Sequence, residues 1–224
     1  VLAETYQGCN ARLLPAEYAQ HLRAWCDEHG AVLILDEVQA GFGRTGAPFG
    51  FSHLGVVPDL IACGKGISGG MPLSAVAGRE ELMNQYGPGE MTSTHSANPV
   101  CAAAALANLT HLREQNVIDH VATLAPILAD GARRIQRASV GAIGRVDATG
   151  LVAALQFTRD GTCEPDAETA WRFVWSAVQR GILLFAPVGV GGCCVKLSPP
   201  LIIPEDALRE GLDELEHVAR NVSA

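Results

Sequence analysis

Unbroken apolar runs alternate with helical spacing along the first half of the chain, and a longer amphipathic rhythm takes over in the second. Residues 1–4, Val-Leu-Ala-Glu, and 31–36, Ala-Val-Leu-Ile-Leu-Asp, lack the polar alternation of a half-solvated strand. Runs of this kind belong to strands covered on both faces, as in parallel sheets. Between them a helix is predicted over 15–29. Tyr18, Leu22, Trp25 and Cys26 repeat at helical spacing, Pro15 suits the first helical position, and Gly30 suits the C-terminal cap. Strand, helix and strand make a βαβ unit, and open α/β sheets bind ligands at the carboxyl ends of their strands. Asp36 stands at such an end. A second apolar run, 59–63, is followed at once by Lys65. A strand over 73–77, a polar loop over 87–98 and a small-residue helix over 99–107, with Pro99 at its first position, complete this half.

The second half predicts a long amphipathic helix over 118–138, antiparallel strands over 144–147 and 151–157 around Gly150, and a helix over 165–180. Strands over 182–185 and 194–197 follow. A last helix over 204–222 carries Glu205 and Asp206 in its first turn, where the helix dipole favours acids. The change of rhythm sets a domain boundary near residue 117. Residues 1–116 form one α/β domain with a mostly parallel sheet, and 117–224 a smaller α/β domain.

Composition narrows the function classes. The 224 residues carry a net charge of −8, so a basic nucleic-acid footprint is not expected. With 48% hydrophobic and 18% charged residues the chain can bury a core. No run approaches the roughly 20 apolar residues of a membrane helix, so neither a membrane span nor a secretory leader is expected. Seven cysteines at irregular spacing, none in a Cys-x-x-Cys pair, argue against a disulfide framework and against a zinc site. Most are expected to be buried thiols in a reducing compartment, which points to the cytoplasm. The opening Val-Leu-Ala-Glu reads as the middle of a buried strand, so the chain is expected to be part of a longer one.

Asp36 and Lys65 are the residues to weigh as chemistry. Each falls at the carboxyl edge of a predicted parallel strand. Alone, Asp36 and Glu37 read equally well as solvated acids at a strand end, and Lys65 as a solvated loop lysine. Lys65 stands between Gly64 and Gly66, ahead of Ser68-Gly-Gly70, which lets backbone come close to a ligand. A lysine held among apolar strands has its pKa lowered, which favours a free amine and imine chemistry. The run lacks the spacing of a nucleotide phosphate loop.

Three longer motifs add to this. Leu33-Ile-Leu-Asp-Glu-Val-Gln-Ala-Gly-Phe-Gly-Arg-Thr-Gly46, Pro58-Asp-Leu-Ile-Ala-Cys-Gly-Lys-Gly66 and Ser93-Thr-His-Ser-Ala-Asn-Pro99 strongly resemble the class III aminotransferases of the ornithine and 4-aminobutyrate type, in the family's order and spacing. The resemblance continues weakly to the end of the chain through Pro199-Pro200. It implies the PLP-dependent transferase fold of type I and the cofactor pyridoxal 5′-phosphate (PLP). It implies Lys65 as the lysine that holds PLP as an imine and Asp36 as the partner of the pyridine nitrogen. Val38 matches the residue against one ring face, and Gln39 the residue near the ring hydroxyl. Thr94 matches a phosphate ligand that reaches the neighbour's site in a homodimer. Free N–H groups at the helix start after Thr94 suit an anion. Glu4 and Gln7 match a Glu-x-x-Gln-Gly element near the cofactor, with Thr5 where the family has proline. His95 and Arg44 read as loop residues.

The resemblance also implies a substrate arginine in the strand before Pro199-Pro200 and a glutamate just after Gln7-Gly8. Lys196 and Cys9 stand at those positions, and lysine lacks arginine's two-pronged match to a carboxylate. A changed substrate pocket is one reading, and a lysine whose stem merely packs along the strand is the other. The expected reaction moves an amino group between an amine or amino acid donor and a keto acid or aldehyde, with no metal. An aminomutase or epimerase on the same scaffold, and a truncated chain without catalysis, remain open at this point.

Overall fold

The computed structural model describes residues 1–91, 93–159 and 162–222. The chain divides into two compact units. The first comprises residues 1–6 and 14–118, and the second 7–13 and 119–224.

The first unit is built on a four-stranded sheet in the order β1 (Leu2–Glu4), β2 (Ile34–Asp36), β3 (Leu60–Cys63), β4 (Ala75–Gly78). The first three strands are parallel, in a register that aligns Glu4, Asp36 and Ala62. β4 closes the sheet antiparallel, with Ile61 opposite Ala77. Helix α1 (Ala16–His29) makes the crossover from β1 to β2, so the βαβ unit forms as its pattern required. Pro15 caps α1 rather than opening it, and Gly30 ends it in the left-handed conformation at φ 61°. Only part of the apolar stripe of α1 is buried. Ala19 and Cys26 are buried, whereas Tyr18 and Trp25 are exposed and Trp25 stacks on His29. Coverage on both strand faces is likewise incomplete within this chain, since Leu35 is buried but every residue of β4 is exposed.

Past β4 come a single-turn helix α2 (Glu80–Met83) and α3 (Pro99–Glu114). Asn98 caps α3, its side chain accepting from the amides of Val100 at 3.0 Å and Cys101 at 3.3 Å. Two of the helix's first N–H groups are therefore already satisfied, which removes them from the expected anion site.

The second unit is a three-stranded antiparallel sheet, β5 (Ile143–Thr149), β6 (Val152–Phe157) and β7 (Cys194–Leu197), with helices α4 (Val117–Ala138), α5 (Ala167–Gln179) and α6 (Glu205–Arg220). β6 is central and buried, and Phe157 packs on Phe173 of α5 at 5.3 Å between ring centroids. Gly131 of α4 lies so close to Leu212 of α6 that an added Cβ would stand 2.5 Å from Leu212 Cδ1. Arg134 ties the same two helices through Asp213 at 2.8 Å and Glu216 at 2.7 Å. The strand predicted over 182–185 does not form. The segment has no ladder partner among the described residues, and Leu183 and Phe185 are 88% and 72% exposed. Apolar composition gave the segment a strand's pattern, but a strand exists only where a neighbour completes its hydrogen bonds.

Candidate active site

Three short segments of the first unit meet at the carboxyl ends of β2 and β3. Parallel pairing fixes the first relation, because Asp36 is the last residue of β2 and lies level with Ala62, three positions before Lys65. The chain then turns, and the Val38 amide donates to Asp36 Oδ1 at 2.8 Å, which orients that carboxylate. Asp36, Val38 and Gln39 are half-buried. Val38 lies against the link that carries Lys65, since a Cβ added at Gly64 would stand 3.3 Å from Val38 Cγ1. Phe42 closes on the other side in the same way, 3.3 Å from a Cβ added at Gly66. The glycines on either side of Lys65 thus admit close packing that a larger residue would obstruct.

Lys65 opens a short 3-10 turn, Lys65–Ile67, at φ 40°. Left-handed backbone at a lysine is uncommon and needs support from its surroundings. That support is visible. Ile67 donates its amide to Gly64 O at 3.0 Å and is buried with Cys63 and Ala105. From α3, Asn108 Nδ2 donates to Gly66 O at 2.8 Å and Ile67 O at 3.3 Å. Lys65 itself is exposed in this chain.

Glu37 is the larger surprise. It is fully buried rather than solvated. Its carboxylate accepts from Thr5 Oγ1 at 2.6 Å and from the amides of Gly50 and Phe51, each at 2.8 Å. Burial pushes its pKa above the ordinary value despite these donors. Glu37 thereby fastens β1 and the 3-10 turn Gly50–His53 to the segment that follows Asp36. Tyr6, also buried, donates to Gln39 O at 3.1 Å, and its phenol is pushed up to about 12 by burial. Arg44, close enough to Tyr6 to oppose that shift, has its own pKa lowered by burial.

Beneath the site, Asp59 accepts from the Leu33 amide at 2.7 Å, Arg23 at 2.8 Å and Arg79 at 2.9 Å. Burial pushes this carboxyl up, but the amide and the two guanidiniums outweigh it and hold the pKa at about 2. The aspartate pins the start of β3, whose far end delivers Lys65.

Sequence reasoning missed Thr5, Tyr6, Asp59 and Asn108. Thr5 was noted only where the family has proline and Asp59 only within a motif, and Asn108 stands one residue past the helix predicted over 99–107. Thr94 and His95 lie exposed in the loop before α3, where Ser96 Oγ donates to Ser93 O at 2.7 Å.

Cys9 and Lys196 fall in the second unit. Residues 7–13 form a turn with the Ala11 amide on Gln7 O at 2.9 Å, and Lys196 Nζ donates to Gly8 O at 2.5 Å. Lys196 thus ties this turn to β7, next to Cys9, which is exposed. The same unit has an apolar cavity of about 250 Å³ lined by residues that include Leu183, Phe185 and Leu208. Among the described residues lining it, Lys196 is the single charged group. Among the described residues, no group of three or more His, Cys, Asp or Glu is placed to hold a metal, and no helix is long and apolar enough to cross a membrane. All seven cysteines are free thiols, five of them buried.

The family profile of the class-III aminotransferases matches residues 1–219. The chain belongs to the class-III aminotransferase family. It is 38% identical to 4-aminobutyrate aminotransferase of Mycobacterium leprae over 97% of this chain and 49% of that protein. It is 40% identical to 2-aminoadipate transaminase of Pseudomonas putida over 91% of this chain and 49% of that one. The solved ornithine aminotransferase of Toxoplasma gondii superposes with a TM-score of 0.89 at 28% identity, covering 99% of this chain and 51% of its own. This class-III aminotransferase chain therefore has the α/β fold of those transaminases, fold type I, and spans about half the length of the curated relatives it matches.

Proposed function

We propose that the protein is a PLP-dependent transaminase, moving an amino group from an amine or amino acid donor to a keto acid or aldehyde. The observation that carries this reading is the placement of Asp36 at the end of β2 and of Lys65 just past the end of the adjacent parallel strand β3, within the motifs that mark the family. The donor set fits the cofactor. A half-buried carboxylate suits a protonated ring nitrogen, an exposed amine suits an aldehyde carbon, Val38 offers an apolar ring face, and the Gln39 amide can orient a ring hydroxyl. The Toxoplasma gondii ornithine aminotransferase structure has PLP at partial occupancy in its active site, which supports the same choice here.

When bound, PLP supplies an electron sink that makes the donor's Cα–H bond acidic. Asp36 holds the proton on the ring nitrogen. Lys65 Nζ would hold the cofactor at its aldehyde carbon and, once freed, would serve as the base and acid that moves the donor's Cα proton. Thr94 binds cofactor phosphate in the partner of a homodimer with shared sites. A cytoplasmic location belongs to the same proposal, since seven free thiols suit a reducing compartment.

For the donor we propose an amine whose carboxylate is remote or absent. Lys196 is engaged by Gly8 O and Cys9 replaces an acid, so neither offers the fork that grips an α-carboxylate. The names of relatives acting on 4-aminobutyrate and 5-aminovalerate agree with a remote carboxylate, whereas 2-aminoadipate, named for another relative, carries one beside its amine.

With donor and keto acid supplied together, the amino group should appear in the acceptor in one-to-one yield. Donor isomerised without consumption of acceptor would overturn transamination. Asp36→Asn should retain PLP yet lose about 100-fold in turnover, as expected for a lost charge-assisted hydrogen bond. In a donor panel, efficient turnover of ordinary α-amino acids, unchanged in Lys196→Ala, would overturn the donor assignment.

A further inference from the structure

The backbone that carries Lys65 has little means of holding itself. Gly64, Gly66, Gly69 and Gly70 punctuate seven consecutive residues, and glycine loses more freedom on folding than any other residue. Yet Lys65 is kept at φ 40°, with its side chain exposed, while the next two carbonyls are fixed. Both carbonyls are fixed by one side chain on a regular helix. Asn108 Nδ2 donates to Gly66 O and Ile67 O, and Asn108 Oδ1 lies 3.3 Å from where a Cβ on Gly69 would stand. One helical turn earlier, Ala105 buries itself against Ile67 and Cys63. The same face of α3 therefore supplies an apolar seat and a polar clamp to the turn after Lys65.

We infer that Asn108 is a positioning residue for Lys65: its amide holds the Gly66 and Ile67 carbonyls and so keeps the Lys65 amine aimed for attachment to PLP. This rests on the reading of Lys65 as the cofactor lysine. Without the clamp, the glycine-rich turn can rotate its peptide planes, and Lys65 can relax to negative φ. That rotation swings the Cα–Cβ bond and with it the whole side chain. The effect belongs to attachment geometry and not to the fold, because Ala105 and Ile67 keep the turn seated.

The test compares Asn108→Asp, Asn108→Ala and Asn108→Gln in the full-length protein. Asp has the shape of Asn but presents only acceptors to the two carbonyls, Ala removes the clamp, and Gln restores an amide donor. The main readout is the rate at which the apo-protein attaches PLP covalently, followed by absorbance. The pH midpoint of that absorbance is the second readout, and the thermal midpoint of the apo-protein reports folding separately. Asp and Ala should each slow attachment about tenfold, the scale of two lost hydrogen bonds, with the apo thermal midpoint nearly unchanged. Gln should recover most of the rate. Should the Asp variant not fold, Ala against Gln decides. Parental attachment rates and an unmoved pH midpoint in Ala and Asp would overturn the inference. Borohydride reduction of the parent separates the two claims. A label on Lys65 with unaffected variants removes Asn108 alone, and a label elsewhere removes the Lys65 reading beneath it.

Discussion

Asp36, Glu37 and Asp59 are three acids within one motif-rich stretch, and their surroundings give each a different task. Asp36 is half-buried and oriented by one amide, which leaves it suited to a ligand. Glu37 is spent inside the fold on Thr5, Gly50 and Phe51. Asp59 is spent on two arginines and an amide, which hold its pKa at about 2 against an ordinary value of 3.8. The sign of its contribution follows from that depression. Its stabilisation is fully present above about pH 4 and is lost as pH falls from about 4 to about 2. Asp59→Asn should therefore lower stability near neutral pH by about 2 kcal/mol and flatten the acid limb of the stability profile. Thermal midpoints across that range check it, and an acid limb unchanged in the variant would contradict the assignment. At this scale the placement of Asp36 at the end of β2 and of Lys65 just past β3 was legible in the sequence. Glu37 was not, because adjacent acids at a strand end carry no mark of which one faces the interior.

The elements were legible where local chemistry decides them. Asn98 followed by Pro99 marks the start of α3, and the structure begins it there, with the Asn98 side chain on two amides. Asn98→Ala should cost about 1 kcal/mol, read as a lower unfolding midpoint in denaturant, while a cost near zero would mean the cap is not used. That cap also takes the amides of Val100 and Cys101, so they are not the free N–H groups expected at this helix start. Elements that depend on a remote partner were less legible. Residues 182–185 have a strand's composition and no ladder partner among the described residues. The stripe of Tyr18 and Trp25 has helical spacing and an exposed face. Spacing reports conformation, whereas burial depends on what the rest of the fold brings alongside.

For the whole molecule, each unit has its own sheet, and the residues proposed for the cofactor, Asp36, Val38, Gln39, Lys65 and Thr94, all belong to the first. Residues 7–13 join the second unit despite their early place in the chain, held in part by Lys196 on Gly8, a pairing that spacing along the chain gives no means to foresee. The proposed sharing of sites between subunits predicts complementation. Lys65→Ala and Thr94→Ala chains, each inactive alone, should regain activity when mixed and allowed to exchange, through one intact site per mixed dimer. Mixtures no better than either variant would mean that Thr94 serves its own chain. The central claim is that Lys65 carries the cofactor, and the most direct measurement is borohydride reduction of the PLP-loaded protein followed by peptide mapping. The account predicts a single labelled lysine, Lys65, and no label in Lys65→Ala; a label on any other lysine would contradict it.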